Sequence, residues 1–192
     1  PSLLNQLDFY IDEKYSDDYS VLSKKNSDNL TDWDKHFIIK NFFNINTEKI
    51  VYKSPRYKEL FHQKENLKEH NWIKSFTSQD LRDLQIHFNI GWSGNGLIQN
   101  SLFIKKLIEK DRNFTEEEKQ QLLTEQKEYL LKVKNFIKSL ALNPNIEVSV
   151  TPFYHPIIPV MNDIDNVQKS WENSVIPNNF NTLKYYSQKH VE

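Results

Sequence analysis

The sequence predicts a mainly α-helical chain with one short β-strand. Three observations predict this. Thr/Ser-x-x-Asp/Glu caps recur ahead of apolar stripes with helical spacing. Glycine is scarce, with 3 in 192 residues, so few breaks interrupt the helices. A single run, Ile146-Glu147-Val148-Ser149-Val150-Thr151, alternates apolar and polar residues with the period of a strand.

The elements follow in chain order. Thr31, with Asp34 three residues on, opens a helix carrying Trp33, Phe37, Ile38, Phe42 and Phe43. Pro55 starts a short helix through Leu60. Thr77 and Asp80 cap a third helix, with Leu81, Leu84, Gln85, Phe88 and Trp92 at helical spacing. The next spans about Gln99 to Lys110, after a turn at Gly94-Asn95-Gly96. Thr115 with Glu118 is the strongest capping box, and its helix runs to about Leu140. Leu122, Tyr129, Leu130, Val133, Phe136, Ile137 and Leu140 form its apolar stripe. Acids lead and lysines trail, as the helix dipole favours. Asn143-Pro144-Asn145 ends it and the strand follows. Pro152, Pro156 and Pro159 then stiffen a loop that holds Phe153, Tyr154 and His155. Asp163 to about Trp171 is a helix, and a last one starts near Asn179.

A lone strand cannot satisfy its own backbone donors and acceptors. Its partners must come from another chain, a second copy or further sequence. The proline at position 1 and the helix-like end point the same way, so the expectation is a fragment of a larger domain.

Composition narrows the function classes. The net charge is −1, from 25 basic and 26 acidic residues, with no basic block to steer onto nucleic acid or an anionic membrane. Cysteine is absent, which removes disulfides, thiol nucleophiles and thiolate metal sites. Hydrophobic residues make up 38% and aromatic residues 13%, enough large side chains for a core. No apolar run reaches the length of a membrane span and no signal segment opens the chain, so a cytoplasmic location is the default expectation. The histidines show no ligand spacing, no Gly-rich phosphate loop exists, and neither a metal nor a cofactor is expected.

The run from Ile146 to Pro159, a strand with an acid followed by Pro-Phe-Tyr-His-Pro-Ile, resembles the second conserved region of glycoside hydrolase family 57. That family holds α-amylases, amylopullulanases and 4-α-glucanotransferases. Pro1-Ser2-Leu3-Leu4 with Gln6 is similar to the segment after the family's first strand. Asn41-Phe42-Phe43, Pro55-Arg56-Tyr57 and Glu59-Leu60 resemble the next elements. Asp83-Leu84-Gln85 with Phe88-Asn89 and Trp92 resembles its Asp-Leu-Gln helix, and Phe114-Thr115 opens the helix before the strand. The likeness covers nearly the whole chain in the family's order. The chain departs from it in two places: His87 stands where the family has Trp, and Ser93-Gly94 where it has an aromatic or acidic residue after Trp92.

The resemblance implies an internal piece of a retaining (β/α)7-barrel enzyme acting on α-glucans or maltooligosaccharides. On this alignment residues 1–142 are a helical insertion, 146–160 the barrel strand and active-site loop, and 163–192 the following helices. The remainder of the barrel is then a partner. The catalytic Glu and the acid/base Asp lie beyond Glu192, so this chain holds no catalytic residue and is expected to be inactive alone. The substrate-binding candidates are Glu147, Tyr154, His155 and Trp92.

Glu147, Ser149 and Thr151 would face a barrel lumen while Ile146, Val148 and Val150 pack on the helix layer. A lumen carboxylate needs a partner, which sugar hydroxyls or the histidines of the barrel's first strand would supply. Tyr154 and His155 would sit at the mouth as hydrogen-bonding or stacking groups. Trp92 offers a flat apolar face matched to the C–H face of a glucose ring. Against these stand the plainer readings: an exposed strand edge for Glu147, packing for His155 and core for Trp92. Asp83 is expected to pair with Arg56 or Arg82. Two alternative functions remain, a non-catalytic helical binding module and a barrel relative acting on carbohydrate esters. The second needs an Asp and His metal set that is not found.

Overall fold

A computed structural model describes residues 3–12, 14, 17–147, 149, 157–176, 178 and 185–188. The chain divides into two units, Gln6–Phe136 and a second made of Pro1–Asn5 with Ile137–Glu192. Among the described residues there is no strand.

The helices are α1 (Leu3–Ile11), α2 (Asp18–Lys24), α3 (Asp32–Asn41), α4 (Pro55–Glu65), α5 (Trp72–Ser75), α6 (Ser78–Trp92), α7 (Asn95–Asn100), α8 (Leu102–Lys110), α9 (Glu116–Ala141), α10 (Ile158–Asn162) and α11 (Asp165–Ser170). Each expected capping box is formed. Thr31 caps α3 with Asp34 returning the bond, and Thr77 and Asp80 do the same for α6. Thr115 N donates to Glu118 at 2.7 Å and Glu118 N donates back to Thr115 Oγ1 at 3.2 Å. Ser54 caps α4 with Pro55 in its first turn, where a missing N–H costs nothing.

Helix α6 is the spine of the Gln6–Phe136 unit. Its residues Leu81, Leu84 and Phe88 join the larger core cluster with Ile38, Ile39, Phe42, Tyr57 and Leu60. Ile86, on another face, joins a second cluster with Leu97, Ile104, Leu107, Phe114 and Leu122. A helix buried on several faces must also bury polar groups, and α6 buries Asp83, Gln85 and His87. Gln85 Nε2 donates to the Lys25 carbonyl at 3.0 Å while its Oε1 accepts from Lys119 Nζ at 2.9 Å.

Four local expectations are corrected. The helix expected from Gln99 is two helices, because Ser101 caps α8 by accepting from Ile104 N at 3.0 Å. The Gly94-Asn95-Gly96 turn is instead the cap and first residues of α7, with Leu97 N and Ile98 N donating to the Gly94 carbonyl at 3.0 and 3.1 Å. The α9 stripe is buried at Leu122 and exposed at Phe136, because the second core cluster ends before the helix does. The proline-rich loop gives way to α10 at Ile158, with Pro159 in the first turn.

The expected strand has no counterpart at its described positions. Ile146, Glu147 and Ser149 lie in irregular backbone, and Ile146 N closes a turn onto the Asn143 carbonyl at 3.0 Å. Among the described residues no backbone ladders with this alternating pattern. Val148, Val150 and Thr151 lie outside the described residues. The helix expected over 163–171 is α11, and 185–188 is helical within the segment expected as the last helix.

Candidate functional site

Of the four sequence-derived binding candidates, two are described. Trp92 ends α6 in the Gln6–Phe136 unit, and Glu147 is an exposed residue of the other unit. Tyr154 and His155 lie outside the described residues.

Trp92 is 64% exposed and so is not a core residue. It lines an open cleft of about 480 Å³ with Tyr10, Asp17, Tyr19, Asn44 and Asn89. The aromatic wall is braced from behind. Tyr19 stacks on Phe42 and Phe88 at centroid distances of 5.8 and 5.6 Å, and the Trp92 indole meets Phe88 at 6.4 Å and 62°. Asn89 Nδ2 donates to Ser23 Oγ at 2.9 Å and to the Gln85 carbonyl at 2.8 Å, leaving Oδ1 as the acceptor. Asn44 Nδ2 donates to the Tyr19 hydroxyl at 3.3 Å. The Asp17 carboxylate is taken by the α2 cap, accepting from Ser20 N at 3.0 Å and Ser20 Oγ at 3.1 Å. A flat aromatic face flanked by neutral amides and hydroxyls suits a neutral polyol, which presents an apolar C–H face and a rim of donors and acceptors.

A second cleft, of about 310 Å³, lies on the opposite side of α6. Lys49, Lys53, Ser54, His87, Ser93, Asn95 and Asp111 supply its polar lining. Serine, histidine and aspartate meet here, but they are not wired for nucleophilic catalysis. Such a triad needs the serine proton on the imidazole and the carboxylate behind the imidazole. Here Ser54 Oγ donates to Asp111 Oδ1 at 2.6 Å, and His87 Nε2 donates to the Asp111 backbone carbonyl at 2.8 Å. Burial pushes His87 below its ordinary value and keeps the ring neutral, against the opposing pull of the Asp111 carbonyl and nearby carboxylates. This trio was not legible in the sequence. Its members are 24 to 57 positions apart, and Asp111 adopts a left-handed φ of 61° that no local motif announces.

The residues that carry the family resemblance have a different role. Arg56 Nε donates to Asp83 Oδ2 at 2.9 Å, and its other nitrogens pair with Glu59 and Asp80. Of the two expected partners of Asp83, the structure selects Arg56; Arg82 pairs instead with Glu116 at 2.8 Å and with Asp28 at 3.3 Å. Asp83 also accepts from Phe114 N at 3.1 Å and from Gln79 Nε2 at 2.8 Å. Burial works against the Arg56 charge, yet the bonds to Asp83 and Asp80 hold it above its ordinary value. Pro55-Arg56-Tyr57 and Asp83-Leu84-Gln85 thus form the polar frame of the fold. Among the described residues no three His, Asp or Glu side chains converge as a metal set, and no helix is long and apolar enough to cross a membrane.

The sequence model described as Glycosyl hydrolase family 57 covers residues 5–176. The chain belongs to glycosyl hydrolase family 57. No curated protein and no solved structure matched the chain. Family membership makes glycans the substrate class, and glycosidic cleavage or transfer the chemistry. Trp92, Glu147, Tyr154 and His155 all fall within the matched residues. In this family-57 chain the cleft at Trp92 presents an exposed indole beside Asn44 and Asn89.

Proposed function

We propose that this chain supplies sugar-binding surface to a retaining family-57 enzyme acting on α-glucans, and that the 192-residue polypeptide alone does not turn over substrate. The observation that carries the reading is the exposed Trp92 face beside Asn44 and Asn89 in an open cleft. Tyr154, His155 and Glu147 belong to the same proposal through the family resemblance, as parts of a donor-sugar subsite. The reacting pair of a retaining glycosidase is two carboxyl groups about 5–5.5 Å apart. The carboxylates lining the two clefts, Asp17 and Asp111, are each held by two donors and do not form such a pair. The rest of a (β/α)7 barrel is proposed to bring the nucleophile and the acid.

Isothermal titration of the polypeptide with maltoheptaose, with cellohexaose as control, tests the binding. Saturable binding of the α-linked sugar is expected, weakened about tenfold by Trp92→Ala. That loss corresponds to roughly 1.4 kcal/mol. Absence of binding to the unaltered chain would remove the subsite. A reducing-end assay on amylose is expected to show no turnover, and turnover would overturn the claim of inactivity.

A further inference from the structure

The cleft between α4, α6 and α8 has no part in the sugar reading, and its lining points to a different ligand. Its walls are mostly apolar, from Ile50, Tyr57, Ile90, Ile98 and Ile108, with Ser93 and Asn95 lying between Ile90 and Ile98 in the chain. Lys49 and Lys53 line it four positions apart, and both are exposed. Neither ammonium has an ion-pair partner among the described residues. Asp111 is the single carboxylate of the lining and is already engaged, accepting from Ser54 Oγ at 2.6 Å and from Arg56 N at 2.9 Å. The lining therefore presents two unpaired cations over an apolar chamber.

His87 adds an independent demand. The ring is 6% exposed and lines the chamber. Nε2 faces a backbone carbonyl at 2.8 Å, so it carries the proton and Nδ1 holds a lone pair. Among the described residues the hydrogen-bonding neighbour of Nδ1 is Ser54 Oγ, at 3.4 Å. Ser54 has one proton, and the Asp111 carboxylate takes it over the shorter and charge-assisted bond. Ser54 Oγ also accepts from Tyr57 N at 3.1 Å. Among the described residues no donor is then left for His87 Nδ1, a lone pair that a ligand proton would satisfy. Tyr57 stacks on the ring at 5.3 Å and 9°, and Phe114 meets it edge-on, so it cannot turn away.

We propose that this cleft binds a small apolar acid: a flat or branched hydrophobic body with one N–H or O–H for His87 Nδ1 and one carboxylate for Lys49 and Lys53. The body fills the isoleucine chamber and the donor completes the imidazole. The acid group stays at the mouth, where the lysines are hydrated. A volume of about 310 Å³ lies at the small end of the range for ligand clefts and suits a bicyclic ring with a short side chain. A sugar is a poorer match, since four isoleucines would face its hydroxyls.

Three probes separate the parts: indole-3-acetate has the body, the N–H and the acid; naphthalene-1-acetate lacks the N–H; tryptophol lacks the acid. Ligand-observed NMR titration of the whole polypeptide at low salt is expected to show one saturable site for indole-3-acetate. Naphthalene-1-acetate should bind about fivefold more weakly for want of one neutral hydrogen bond. Tryptophol should bind about three- to tenfold more weakly for want of two exposed ion pairs. The double variant Lys49→Gln, Lys53→Gln should erase the preference over tryptophol, and Trp92→Ala should leave all three affinities unchanged. The proposal is overturned if indole-3-acetate fails to saturate up to about 1 mM. It is overturned equally if naphthalene-1-acetate binds as well, if the lysine variant keeps the full preference, or if Trp92→Ala abolishes binding.

Discussion

Arg56 Nε and Asp83 Oδ2 meet at 2.9 Å, with the Asp83 side chain fully buried. Removing one member of a buried pair strands the other, at about 3–5 kcal/mol. Arg56→Met is expected to destabilise the chain by about that amount, less whatever Gln79 and the Phe114 N–H retain on Asp83. The exposed Arg112–Glu59 pair, at 3.1 Å, is the control, and Arg112→Met should cost less than about 1 kcal/mol. Urea unfolding of both variants measures the difference. Equal midpoints would mean the buried pair is not the frame of the fold.

Glu116 couples α9 to the start of the chain and sets an acid limb. Burial alone would raise its carboxyl, but bonds from Lys119, Ser27 N and Arg82 bring it from 4.5 down to about 2. A carboxyl depressed in the folded state adds stability above its unfolded value and loses it as pH falls through its folded value. The contribution is thus complete above about pH 4.5 and gone near pH 2. Glu116→Gln should flatten the fall in urea midpoint across that window and leave the slope between pH 6 and 8 unchanged. A variant with the same acid limb as the parent would exclude this carboxyl as its source.

The Tyr57 hydroxyl donates to the Phe42 carbonyl at 2.5 Å inside the larger core. Burial raises the phenol well above its ordinary value, so it stays neutral through the working range. Tyr57→Phe keeps the ring but orphans a buried carbonyl. A loss of about 1–3 kcal/mol is expected in chemical unfolding. A neutral result would show that water or a relaxed backbone satisfies Phe42.

Phe88 and Trp92 sit one helical turn apart and differ sharply in burial, at 7% and 64% exposed. Phe88→Ala is expected to cost about 3–5 kcal/mol. Trp92→Ala should fall within about 0.5 kcal/mol of the parent, as surface changes do. Thermal unfolding separates the two. If Trp92→Ala proved as damaging as Phe88→Ala, the indole would be a core group and the sugar-facing reading would fail.

Much of the helical skeleton was legible because its signals are short. Thr31 and Asp34, Thr77 and Asp80, and Thr115 and Glu118 settle their own hydrogen bonds within a few residues, whatever packs later. The alternation at residues 146–151 was a weaker guide, since a strand exists through a neighbour that the pattern does not contain. Trp92 shared helical spacing with Phe88, and periodicity cannot say where a core ends along a helix. Ser54, His87 and Asp111 escaped notice because a turn, a helix and a left-handed cap had to converge before they became a group.

What the sequence by itself determined was local or compositional: where capped helices begin, the absence of thiol chemistry, and membership of family 57. Tertiary structure decided which polar groups are buried, which aromatic is bare, and which histidine nitrogen lacks a donor. The physical reason is range. A cap closes over three or four residues, whereas burial and proton affinity sum contributions from elements far apart in the chain.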